Sequence, residues 1–361
     1  MNSPGQRLPV SVITGFLGSG KTTLINHLVN HPAMGEAAVI VNEFGEIGLD
    51  HTLIERSDEH TILLGTGCLC CTVRGDLVNT LGDLSVRRLK GQVAPFKRLV
   101  IETTGLADPA PILHTLMSVP VVARFCLDTV ITTVDAVNGS ATLDHHQEAV
   151  KQAAVADRLV VTKTDLAGPA TIEPLLERLG SLNPAATAIP AIDGNIDPEV
   201  LFGSLKFNLE TKTEDVRQWL NDEAYANPHT DHDHPAIDPD VNRHDEHIRS
   251  FCLTFEQPLK WNELAAWLDT LAAREGERLL RVKGLVNVEG IDEPVVIHAV
   301  QHLFHPPSRI AAWPDEDRRS RIVFITRDLD RRKIEETLSR LQAALAGPAE
   351  DNSQPIKRNV E

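Results

Sequence analysis

The chain has 361 residues, with 51 acidic against 35 basic side chains, a formal net charge of −16, and 42% hydrophobic and 24% charged content. Such a length exceeds the usual span of one domain and the composition is globular, so two domains are expected. The acidic balance, without a basic stripe, argues against nucleic acid as a partner, and no stretch reaches the roughly 18 apolar residues of a membrane helix. The N-terminus shows no charged segment followed by a long apolar one, which gives a cytoplasmic expectation. Five cysteines, three of them within four positions, suggest a metal or redox site in a reducing compartment rather than a disulfide framework.

The first element is an apolar, β-branched run (Val10, Val12, Ile13) that predicts a strand over 9–14. Gly15-Phe-Leu-Gly-Ser-Gly-Lys-Thr22 follows and matches G-x-x-x-x-G-K-[ST] at every fixed position. Leu24, Ile25, Leu28 and Val29 then recur at helical spacing and predict a helix over 21–30. The glycines let the backbone turn its N–H groups inward, so that a polyphosphate sits on the helix N-terminus. Gly15, Gly18, Ser19, Gly20, Lys21, Thr22 and Thr23 are therefore candidate nucleotide-binding residues. Lys21 would reach the β- and γ-phosphates and the Thr22 hydroxyl would ligate Mg²⁺, which makes both catalytic candidates.

Further strands are predicted near 37–42, 61–65, 98–102, 128–134, 158–163 and 186–191, alternating with helices near 74–90, 109–118, 142–156, 170–180 and 198–204. Runs such as Ala37-Ala-Val-Ile-Val41 and Leu159-Val-Val161 are apolar throughout, as in strands covered on both faces. The fold class expected is α/β: a P-loop NTPase domain over 1–205, with a mostly parallel sheet flanked by helices. Polar, acidic sequence over 206–248 reads as a linker. A small α+β domain is expected over 249–346, from a strand at 250–255, a helix at 261–274, strands near 279–288, 294–302 and 320–326, and a helix at 330–345. Residues 347–361 read as a disordered tail.

The chemistry-bearing motifs all follow predicted strands, so they should share one sheet edge. Arg98-Leu-Val-Ile-Glu102-Thr-Thr-Gly105 ends a strand in an acid. Glu102 could hold Mg²⁺ or orient the attacking water, and Gly105 could offer its N–H to the γ-phosphate. Thr162-Lys163-Thr-Asp165 resembles the guanine-reading motif of GTPases, with Thr162 in place of the usual Asn. The Asp165 carboxylate would accept from N1–H and the 2-amino group of guanine, and the Lys163 stem would pack on the base. Gly67-Cys68-Leu-Cys70-Cys71 offers three soft thiolates suited to Zn²⁺, Cu⁺ or Co²⁺, an incomplete set that suits transfer better than storage. Glu43 and Glu46, after the second strand, could contact Mg²⁺ or a cargo metal. In the linker, His229, His232, His234, His244 and His247 suit loose capture of Zn²⁺ or Ni²⁺, with His-x-His at 232–234 and His-x-x-His at 244–247. Cys126 and Cys252 lie in apolar runs and are assigned to the core.

Together these residues resemble the CobW-type GTPases, proposed cobalt and zinc metallochaperones related to the nickel inserters of urease and hydrogenase. The resemblance rests on Gly15–Leu24, Asn42-Glu-Phe-Gly-Glu46, Gly67-Cys-Leu-Cys-Cys71, Glu102-Thr-Thr-Gly-Leu-Ala-Asp-Pro109 and Thr162-Lys-Thr-Asp165, with a smaller domain after a His-bearing linker. It implies GTP hydrolysis with Mg²⁺, cargo metal (Zn²⁺ first, Co²⁺ second) at Cys68, Cys70 and Cys71, and delivery to a client metalloprotein, with a homodimer left open. Two departures stand out: Thr66 where the family often has Asn, and Val41 where some relatives carry an acid. The alternatives are an accessory GTPase of cobalamin synthesis handling cobalt, and a non-enzymatic metal buffer.

Overall fold

Leu8–Gly15 forms β1, buried along its whole length, and Lys21–Asn30 forms α1. The computed structural model describes residues 7–41, 62–65, 73–202 and 247–346. The chain continues through β2 (Ala37–Val41), β3 (Ile62–Gly65), α2 (Val73–Leu89), β4 (Arg98–Glu102), α3 (Ala110–Met117), α4 (Val119–Val122) and β5 (Phe125–Asp135). It then runs through α5 (Gly139–His145), α6 (Gln147–Val155), β6 (Arg158–Thr162), α7 (Pro169–Leu182), β7 (Thr187–Pro190) and α8 (Pro198–Leu201). Among the described residues the seven strands form one sheet in the order β3-β2-β4-β1-β5-β6-β7, with every pair parallel.

Both faces are covered, as the unbroken apolar strands require. In β4, Leu99 and Ile101 join Leu81 of α2 and Leu113 of α3 on one side, while Val100 joins Leu24 and Leu28 of α1 on the other. The α/β expectation therefore holds, with three local differences. The helix expected over 142–156 is two helices, because His146 is extended (φ −132°, ψ 108°) and its ring stacks on Phe16 at 4.3 Å. The strand expected from 128 already begins at Phe125 and runs through Asp128, which accepts from the Ser11 hydroxyl (3.3 Å). The helix expected over 109–118 is α3, which stops at Met117 where Ser118 turns extended (φ −76°, ψ 153°), and the one-turn helix α4 carrying Pro120 follows it.

The second unit comprises β8 (Ile248–Phe255), α9 (Trp261–Glu275), β9 (Leu279–Val286), β10 (Val295–Val300), β11 (Leu303–Phe304), β12 (Ser308–Arg309), β13 (Ser320–Arg327) and α10 (Arg331–Ala346). It is an antiparallel sheet ordered β11-β10-β9-β13-β8, with β12 on β10. The two-residue strands β11 and β12 were not expected; they are too short for any periodic signal. Trp267 of α9 is fully buried, and its Nε1–H donates to Thr337 Oγ1 of α10 (2.9 Å). The other sheet face packs against the first unit: Leu280, Val300 and Ile325 join its core, and His114 Nε2 of α3 donates to Val300 O (2.8 Å). Cys126 and Cys252 are buried, as assigned. The tail expectation and most of the linker expectation concern residues outside those described; Ile248, expected in the linker, already opens β8. His247 is described, and its Nδ1 is committed to Asp328 Oδ1 at 2.6 Å. No described helix is long and apolar enough to cross a membrane.

A buried ion cluster locks the two units. Asp157, just after α6, accepts from Arg281 Nη2 (3.0 Å) and Lys283 Nζ (2.5 Å) of β9 and from Val130 N (2.8 Å). Burial works to raise the Asp157 pKa, but the Lys283 and Arg281 charges and these hydrogen bonds outweigh it and hold the pKa far below the ordinary carboxylate range. His298, opposite Lys283 across β9–β10, is pushed well below the usual histidine value by desolvation and by the same two cations. Removing Asp157 takes the carboxylate away from two buried cations, so Asp157→Ala is expected to destabilise the fold by about 3–5 kcal/mol at pH 7. Because the carboxylate pKa is depressed on folding, its contribution is complete above about pH 4 and fades as pH falls below that value. Urea midpoints of wild type and variant should therefore converge under acid; a constant difference across pH would contradict this.

Candidate functional site

The carboxyl ends of seven parallel strands face the same way, and the loop after β1 lies near their centre. Gly15, Gly18 and Gly20 have φ of +141°, +71° and +89°, a region that costs L-residues strain. Space also demands glycine at 15: a Cβ there would fall 2.2 Å from Thr133 Oγ1 and 2.5 Å from Thr133 O. Gly20 caps α1, so the first N–H groups of that helix open toward the loop interior. Lys21 is buried, and its ammonium folds back across the loop to Gly15 O (2.9 Å) and Phe16 O (3.0 Å). Ser19 turns its hydroxyl inward, to Phe16 O and Thr133 Oγ1 (2.7 Å each), so only its backbone can serve a ligand. Thr22 is half-buried and Thr23 is exposed at the start of the helix.

Glu102 ends β4 and is buried, in register with Ile13 of β1 and Val41 of β2. Val41 is in turn level with Gly65, the last residue of β3. Thr103 is tied to the same edge, its N–H on Ile13 O (2.9 Å) and its hydroxyl on Thr14 Oγ1 (2.7 Å). Gly105 then passes so close to the phosphate loop that a Cβ would lie 2.8 Å from Leu17 N. The structure thus brings Glu102 and Gly105 to the loop carrying Lys21 and Thr22. Threonine hydroxyl and carboxylate are hard oxygen donors of the kind Mg²⁺ prefers, so this pair fits that ion.

The motif after β6 is fastened to the phosphate loop. The Thr162 hydroxyl lies 2.8 Å from Ser19 O and 3.2 Å from Val134 O, so threonine supplies a tether where Asn is usual. Lys163 adopts φ +56° and sends its ammonium to Gly18 O (2.8 Å) and Asp135 Oδ2 (2.7 Å). Asp165 is exposed beyond it, and Thr164 reaches Ala191 O after β7 at 3.3 Å. Asp135 was missed by the sequence reading, although its place at the end of the β-branched Val130-Ile-Thr-Thr-Val134 run carries the same strand-end signal as Glu102. Burial disfavours its charge, but bonds from Lys163, the Asn138 side chain and the N–H groups of Val137 and Asn138 prevail and lower its pKa. A cavity of about 250 Å³ lies beside this ion pair, lined among others by Phe16, Leu17, Val134, Leu143 and Gln152.

The metal candidates Cys68, Cys70, Cys71, Glu43, Glu46, His232 and His234 lie outside the described residues. Among the described residues no group of three or more His, Cys, Asp or Glu could hold a metal ion. What the structure does place is the root of the cysteine segment, since β3 ends at Gly65 on the nucleotide edge and α2 begins at Val73.

Residues 9–190 match the family model described as CobW/HypB/UreG, nucleotide-binding domain, and residues 248–342 match the cobalamin synthesis protein cobW C-terminal domain. The zinc chaperone YjiA of Escherichia coli is 34% identical over 341 residues, covering 94% of this chain and 98% of that one. The zinc chaperone CobW of Pseudomonas aeruginosa is 30% identical over 379 residues, covering 94% and 92%. Among solved structures, Zn(II)-bound YjiA GTPase from E. coli superposes with a TM-score of 0.66 at 29% identity, covering 93% of this chain and 99% of that one.

Among the described residues, Asp135 is the side chain that shares the Lys163 ammonium with the loop, so Asp135→Ala should free Lys163 from its packed position. GDP affinity, read by titration of a fluorescent GDP analogue, is expected to fall by about 10- to 100-fold, the worth of a hydrogen bond to a charged group. Unchanged affinity would show that the pair does not support the base motif.

Proposed function

The chain is a metallochaperone GTPase of the CobW/HypB/UreG family, and we propose that it binds Zn²⁺ through Cys68, Cys70 and Cys71 and passes it to a client metalloprotein under control of GTP. The observation that carries this reading is one row of the sheet. Ile13, Glu102, Val41 and Gly65 sit side by side across β1, β4, β2 and β3. Two strand spacings, about 10 Å, therefore separate Glu102 from the root of the cysteine segment. We infer that a shift in the turn after β4 passes to the cysteine segment through the backbone hydrogen bonds of these strands.

In this reading the phosphates of GTP displace the Lys21 ammonium from Gly15 O and Phe16 O, and the loop N–H groups and the N-terminus of α1 receive their charge. Thr22 and Glu102 would hold Mg²⁺, which would neutralise charge developing on the transferred phosphoryl group. Gly105 offers its N–H to the γ-phosphate, and hydrolysis withdraws that contact. Thr162 and Lys163 brace the loop while Asp165 reads the 2-amino group and N1–H of guanine. Glu43, Glu46, His232 and His234 are proposed as accessory ligands or a capture tract for the metal. Thiolates suit Zn²⁺ and Co²⁺ alike; zinc is preferred because the relatives are zinc chaperones.

Lys21→Ala is expected to lower GTP turnover by about 10²- to 10³-fold, the worth of a preorganised donor in a phosphate or oxyanion site. Cys70→Ser, in a parallel sample, should lose tightly bound zinc while keeping GDP affinity. Wild-type turnover in the first variant, or wild-type zinc content in the second, would contradict the proposed roles.

A further inference from the structure

The turn that follows β4 is held from behind by a helix outside the nucleotide motifs. Gln152 lies in the middle of α6 and is fully buried, at 0% exposure. Its Nε2 donates to Gly105 O (3.1 Å) and to Ala107 O (3.0 Å), and its own backbone carbonyl accepts from Thr132 Oγ1 of β5 (2.7 Å). Lys151, one residue earlier, reaches Asp108 Oδ2 (2.7 Å), while Asp108 Oδ1 takes the N–H of Ala110 at the start of α3. The turn from 105 to 108 is thus gripped at three points by two neighbouring side chains of one helix.

The chemistry of Gln152 fits a hold on the backbone better than filling of space. Two carbonyls can only accept, so they orient the amide with its NH₂ toward the turn. Among the described residues Oε1 then has no hydrogen-bond partner, a costly arrangement for a buried acceptor. An apolar side chain of similar size would pack there without that cost, so what the amide supplies is its pair of donors. They act where a hold is needed. Gly105 has the widest backbone freedom of any residue, yet it rests against Leu17 of the phosphate loop, and its N–H must keep one direction to meet a γ-phosphate.

We propose that Gln152 is a positioning residue for GTP: it presets the 105–107 turn so that Gly105 N–H stands ready over the phosphate loop, and so separates GTP from GDP. The inference rests on the GTP reading above. GDP lacks the phosphate that this turn would meet, so a loss confined to the triphosphate is the signature of positioning, whereas damaged packing would weaken both nucleotides.

The test uses the full chain and the variants Gln152→Leu, Gln152→Met and Gln152→Glu, titrated with Mg²⁺ and fluorescent analogues of GDP and of non-hydrolysable GMPPNP, with thermal midpoints and GTP turnover measured in parallel. Leucine and methionine fill the space but donate nothing, and two shapes guard against one misfolding. Both should lower GMPPNP affinity and turnover by about tenfold, the worth of one or two net hydrogen bonds, with GDP affinity within about twofold of wild type. Glutamate, which sets acceptors against both carbonyls, should fall further. Equal losses for GDP and GMPPNP, or wild-type GMPPNP affinity and turnover in the folded leucine and methionine variants, would overturn the inference. A wild-type protein that binds GDP but gains nothing from the γ-phosphate would do the same. Binding of neither nucleotide by wild type would overturn the GTP reading, and this inference with it.

Discussion

All seven strands of the first sheet run in one direction, and the site depends on that constraint. Parallel strands put every strand-to-helix loop on one edge, so segments far apart in sequence arrive together without any contact designed between them. The phosphate loop leaves β1, the Glu102 turn leaves β4, Asp135 ends β5, the Thr162–Asp165 motif leaves β6, and the cysteine segment departs from β3. Burial on both faces enforces this register: a slip of one residue would exchange the residues packed on α1 for those packed on α2 and α3.

On this scaffold the loops are fastened to one another as well as to the strands below. Thr162 and Lys163 grip Ser19 O and Gly18 O, Asp135 anchors Lys163, Gln152 grips Gly105 O, and Gly105 leans on Leu17. Such mutual bracing suits a site whose work is positioning, because phosphoryl transfer asks for placed charges rather than covalent chemistry. It also means that a nucleotide displacing Lys21 from the loop carbonyls disturbs a connected set. The α3 and α6 helices that support the turn also dock on the second unit, through His114 to Val300 O and through Asp157, just after α6, to Arg281 and Lys283.

Much of this was legible in the sequence, for physical reasons. The strand–loop–helix at 9–30 carries its own signals, since glycines with positive φ, a buried lysine and an apolar helix face can be read locally. The strands were readable because double-faced burial leaves unbroken apolar runs. What was not readable depends on tertiary contacts. Nothing in the sequence around His146 breaks a helix; the break coincides with the stacking of its ring on Phe16, a contact made only in the fold. Gln152 resembles any mid-helix glutamine until packing shows its two acceptors. Asp135 carried a strand-end signal and was passed over because no known motif surrounds it. The threonine at 162, a weakness when set against the usual Asn, proves able to reach the carbonyl it must tether.

The central claim is that nucleotide state and metal affinity are coupled across the row from Ile13 to Gly65. The most direct measurement is the zinc dissociation constant of the full chain, by competition with a chromophoric chelator, in the nucleotide-free, GDP-bound and GMPPNP·Mg²⁺-bound forms. The account expects the triphosphate form to differ from the other two by about 5- to 150-fold, the usual range of coupling between two sites. One zinc affinity across all three forms would contradict it.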